Sequence, residues 1–81
     1  MRERFYNQSS LIAKDLAKIA TDYFKNGDYD SAIVNFKLAQ KLEPSDESIN
    51  SSLAYAYSKK GEIDLALKSY KKVIEINPKN Y

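Results

Sequence analysis

The chain has 81 residues with no cysteine and no histidine, which allows one small domain and excludes disulfides, thiolate chemistry and the commonest general base and metal ligand. Hydrophobic residues at 43% and charged residues at 30% suit a folded chain, and a formal charge of +2 is too small to imply a nucleic-acid or membrane partner. The aliphatic runs, such as Leu11-Ile12-Ala13, are far too short to span a membrane, and the charged start MRERFYNQSS is no secretory signal. The default expectation is therefore a soluble, cytoplasmic protein.

In chain order, the first element is a helix. Leu16, Ile19, Ala20 and Tyr23 recur at three- and four-residue spacing and make one apolar face. Phe5 and Ile12 extend that stripe backwards, so the helix starts either well before Ala13 or at a cap on Ser9 or Ser10. Gly27 follows its last turn, where a left-handed residue closes a helix without a Cβ penalty. Asp28 is placed to cap a second helix and Asp30 sits in its first turn, favoured by the helix dipole. Ala32, Ile33, Phe36, Ala39 and Leu42 form the apolar face of that helix, and Pro44 stops it.

The punctuation then recurs. A shift of 34 residues pairs Gly27 with Gly61, Pro44 with Pro78, Ala20 with Ala54, Ala32 with Ala66, Tyr23 with Tyr57 and Asp30 with Asp64, along with two lysine pairs. Conservative matches join them, among them Ile19 with Leu53, Asp28 with Glu62 and Phe36 with Tyr70. Both glycines and both prolines of the chain share one lag, so the repeat is real. The alanines let two helix backbones approach where they cross, and the aromatics fill the wedges beside that crossing. Glu62 is a poorer cap than Asp28, so the turn of the second hairpin should be the less firmly fixed.

These residues resemble the tetratricopeptide repeat family, a 34-residue helix-turn-helix unit with small residues, aromatics and a terminal proline at fixed offsets. The expected fold is all-α: two hairpins, four antiparallel helices, stacked as a short right-handed solenoid. The units fall at 13–46 and 47–80, and 1–12 is either an N-terminal extension or the start of the first helix. Two departures stand out. Asn50 occupies a place usually large and apolar, which should loosen the start of the third helix, and Val73 replaces an alanine.

The resemblance implies a non-catalytic, cofactor-free scaffold that holds a peptide or helix of a protein partner in the groove made by the first helix of each unit. In the first unit the corresponding places are Lys14, Ala17, Lys18, Thr21, Phe24 and Lys25. In the second they are Ser48, Ser51, Ser52, Tyr55, Ser58 and Lys59. A basic face of this kind would favour an acidic peptide, although lysines at helical spacing also make an ordinary solvated face. The carboxylate clamp of chaperone-binding relatives is disfavoured, because Ala17, Thr21 and Ser52 stand at its places. The family usually closes with a capping helix, and here KNY follows Pro78 directly. Leu67, Tyr70, Ile74 and Ile76 should therefore be left uncovered, which points either to a segment of a longer array or to self-association, a homo-oligomer or exchange of hairpins.

Other chemistry fares worse. Asp28/Asp30 and Glu62/Asp64 lack the alternating ligands and distant glutamate of a calcium loop, and capping explains them. Ser48, Ser51 and Ser52 have no accompanying base, which disfavours nucleophilic catalysis. Lys68, Lys71 and Lys72 make too short a basic stripe to carry nucleic-acid binding.

Overall fold

The computed structural model describes the backbone of residues 2–80 and the side chains of residues 8–79. Four helices follow one another: α1 (Arg2–Lys25), α2 (Tyr29–Leu42), α3 (Glu47–Lys60) and α4 (Ile63–Ile76), with a short 3-10 turn at Pro78–Asn80. The principal contacts run α1 to α2, α2 to α3 and α3 to α4, so the chain is two helical hairpins laid side by side. No strand occurs among the described residues.

The first helix takes the earlier of its two expected starts and runs unbroken from Arg2. Ser9 is no cap. Its hydroxyl donates to the Leu42 carbonyl at 3.3 Å and to Glu43 Oε2 at 3.2 Å, tying α1 to the end of α2. The side chain of Phe5, expected on the apolar stripe, lies outside the described residues.

The two hairpin turns are copies of each other. Gly27 and Gly61 take φ of 81° and 91°, the left-handed region. The Asp28 amide donates to the Tyr23 carbonyl and the Glu62 amide to the Tyr57 carbonyl, both at 2.9 Å. These are the six-to-one bonds of a Schellman ending, which satisfy carbonyls the helix leaves unpaired. The caps differ as expected: Asp28 Oδ1 accepts from the Ser31 amide at 3.1 Å, whereas Glu62 makes no such bond. Asp28→Ala should therefore lower the unfolding free energy by about 1 kcal/mol. Glu62→Ala should leave the urea midpoint nearly unmoved, and equal losses would contradict the difference.

Ala20, Ala32, Ala54 and Ala66 are all buried at the helix crossings. Around them Ile33, Phe36, Leu53, Ala56 and Tyr57 form one cluster, and Ala13, Ala39 and Ile49 form a second. A further tie is the ion pair between Lys60 Nζ and Asp30 Oδ1 at 2.5 Å, joining α3 to α2. The hydrogen bond that Lys60 donates to Asp30, with the Asp30 charge, holds the Lys60 ammonium's pKa above the ordinary lysine value. Its stabilisation is thus complete below that ordinary value and is lost as pH rises through the raised one.

Asn50 corrects the sequence reading. It does not loosen α3: its side chain is completely buried and fully engaged. Gln40 Nε2 donates to Asn50 Oδ1 at 2.6 Å, while Asn50 Nδ2 donates to the carbonyls of Pro44 at 3.0 Å and Asp46 at 2.7 Å. The residue fastens the connection between the hairpins to both of them.

Equivalent positions also differ in burial. Leu53 and Tyr57 are 2% and 9% exposed, but their partners at the 34-residue lag, Ile19 and Tyr23, are 45% and 40% exposed. The reason is position in the stack. α3 lies between α2 and α4, whereas α1 has α2 as its principal neighbour.

Candidate functional site

Between the first helices of the two units lies a cavity with aromatic walls. Thr21 and Phe24 on α1 and Ser52 and Tyr55 on α3 line a cavity of about 170 Å³, with Phe36 of α2 also in its lining. The buried face of each helix fixes these positions. Ala20 and Leu53 point into the core, which turns Thr21, Phe24, Ser52 and Tyr55 toward the space between α1 and α3.

The rings are in contact. The Phe24 centroid lies 5.3 Å from that of Tyr55 and 5.1 Å from that of Tyr29, with planes inclined at 30° and 56°. Both are the offset or tilted arrangements that aromatic quadrupoles favour. Lys59 Nζ stands 5.4 Å from the centre of the Tyr55 ring, a cation–π contact at the rim. Two hydroxyls of this face bond within their own helices: Thr21 donates to the Ala17 carbonyl at 2.8 Å and Ser58 to the Tyr55 carbonyl at 2.7 Å.

The expected groove residues divide accordingly. Thr21, Ser52 and Tyr55 meet in the cavity wall and Lys59 reaches its rim. Lys14, Lys18, Lys25 and Ser48 are exposed and Ser51 is half-buried, all outside that wall. Ala17 is half-buried and packs against both core clusters, so it serves as a close-packing residue. None of Lys14, Lys18 and Lys25 has an ion-pair partner among the described residues. Two contributors were not marked in the sequence. Phe36 carries a core pattern yet also lines the cavity, and Tyr29 directly follows a cap and gives no periodic signal. At the far end Leu67, Tyr70 and Ile74 are 63%, 38% and 46% exposed, and Ile76 is half-buried.

Two family models match, one described as "TPR repeat" over residues 21–61 and one as "Tetratricopeptide repeat" over residues 50–80. The chain belongs to the tetratricopeptide repeat family. Among relatives it is similar to a chloroplastic tetratricopeptide repeat domain-containing protein of Arabidopsis thaliana, 32% identical over 71 residues, covering 83% of this chain and 24% of the relative. It is also similar to a TPR repeat-containing protein of Methanocaldococcus jannaschii, 39% identical over 54 residues, with 67% and 10% covered. A third is Superkiller complex protein 3 of Homo sapiens, 34% identical over 58 residues, with 72% and 4% covered. The chain thus spans less than a quarter of the length of each of these proteins. Tetratricopeptide repeats are in general non-catalytic scaffolds for protein–protein interaction, and membership of the family supports an interaction module in that general sense. Among the described residues no helix is long and apolar enough to cross a membrane.

Proposed function

We propose that the tetratricopeptide pair, with units 13–46 and 47–80, binds an extended, acidic segment of a partner protein across α1 and α3. The observation that carries this reading is the aromatic cavity of about 170 Å³ between Phe24 and Tyr55. A cavity of that size seats one apolar side chain, and burying such a side chain is worth about 1.5–3 kcal/mol. Lys14, Lys18 and Lys25 on α1, without ion-pair partners among the described residues, and the rim Lys59 on α3 add positive charge to these helices, which selects carboxylates and raises the rate of encounter. Ser48, Ser51 and Ser52 supply short donors for the backbone of the bound segment.

An array of peptides matched in length, acidic or basic and with or without a single phenylalanine, tests both halves of the reading. Acidic peptides with phenylalanine should be retained best. Lys18→Glu with Lys25→Glu should abolish that retention while leaving helicity intact, and Tyr55→Ala should erase the preference for phenylalanine. Unchanged affinity in the charge-reversed protein would sink the proposal.

A second reading rests on the other end. Ile33 and Phe36 are 8% and 3% exposed, whereas their equivalents Leu67 and Tyr70 are 63% and 38% exposed. We infer that Leu67, Tyr70, Ile74 and Ile76 associate with a second copy. The measured mass should then rise with concentration in sedimentation equilibrium and fall to that of the monomer in Leu67→Lys with Ile74→Lys. A constant monomer mass for the unaltered protein would exclude it.

A further inference from the structure

Outside the α1–α3 groove, a cleft of about 280 Å³ opens where α2, α3 and α4 meet. Lys37 approaches it from α2, Lys68 and Lys72 from α4, and no carboxylate lines it. The buried Leu53 and Tyr57 also line it. Ser69, also in the wall, has an uncommitted hydroxyl, and none of the three lysines has an ion-pair partner among the described residues. Lys68 and Lys72 stand one helical turn apart, a spacing at which like charges repel.

The repeat provides its own control. At the 34-residue lag, Lys68 and Lys72 correspond to Val34 and Leu38. Those two sit exposed on α2 in the same helical framework, so the packing of the unit does not call for lysine at either place. We propose that the cleft is an anion site that takes a phosphate monoester group, held by Lys37, Lys68 and Lys72 with Ser69 as a neutral donor. A carboxylate offers two oxygens and one charge. A phosphate monoester offers three oxygens and close to two charges, and so matches three lysines and a hydroxyl that line one cleft.

The test follows amide shifts by NMR at constant ionic strength, with inorganic phosphate, a phosphoserine peptide and the same peptide carrying serine as the probes. Phosphate and the phosphopeptide should both produce saturable shifts centred on Lys37, Lys68, Ser69 and Lys72, and the serine peptide should produce none there. A phosphopeptide tighter than phosphate assigns the group to a protein side chain, and equal affinities assign it to a free phosphate. Lys68→Val with Lys72→Leu installs the residues of the first unit, so the fold should persist, and affinity should fall at least tenfold. Lys79→Ala, which removes a lysine outside the cleft wall, should change nothing. Shifts that fail to saturate, spread evenly over all lysines or survive the double substitution would overturn the proposal.

Discussion

Leu53→Ala should lower the unfolding free energy by about 2–5 kcal/mol, which is much of what a domain of this size possesses. Leu53 is 2% exposed and belongs to the cluster shared with Phe36 on α2 and Ala66 on α4. Truncation leaves a void at the joint between the hairpins, where helices held on two sides have little freedom to close it. The internal repeat supplies the comparison. Ile19 is its equivalent, but at 45% exposure it has far less apolar area to lose. Ile19→Ala should therefore give up well under half as much, measured as urea midpoints at a common slope. Equal losses from the two truncations would show that α1 is covered as fully as α3.

Asn50→Ala should lower stability by about 1–3 kcal/mol, because it removes a fully buried side chain and strips its part-buried partners of hydrogen bonds. The Pro44 carbonyl loses the donor 3.0 Å away, and Gln40 Nε2 loses the acceptor at 2.6 Å. Asn50→Leu separates space from polarity: it refills the volume and leaves the same carbonyl unpaired, so it should recover only part of the loss. A cycle of Asn50→Ala with Gln40→Ala should show coupling, since Gln40 has its bond only while Asn50 is present. A leucine variant more stable than the parent protein would mean that the network contributes nothing net.

The features that the sequence displays plainly are those whose causes are local. Gly27 and Gly61 end helices through their own backbone conformation, and the Asp28 cap reaches only three residues ahead. Both therefore appear at the expected residues. Asn50 was misread because the type of a residue says nothing about a partner ten positions away, and Gln40 is that partner. Exposure at Ile19 and Tyr23 was equally hidden. Periodicity marks an apolar face, but only the stacking order decides whether a neighbour covers it. Of the groove, the helices and the outward positions were legible. The cavity was not, because it forms only where Phe24, Tyr55 and Phe36 from three helices meet.

The missing side-chain cap at Glu62 bears on how the molecule comes apart. α4 starts without that bond, packs principally on α3 and keeps Leu67, Tyr70 and Ile74 in solvent; only Ala66 and Val73 along it are buried. Repeat stacks open from the least supported unit inward, as a zipper does from its free end. Amide hydrogens of α4 should exchange ahead of those of α2 and α3, with the Ala66 and Val73 neighbourhoods the last of α4 to yield. A ligand that bridges Lys37 with Lys68 and Lys72 would pin that zipper shut, turning occupancy of one cleft into order along a whole helix.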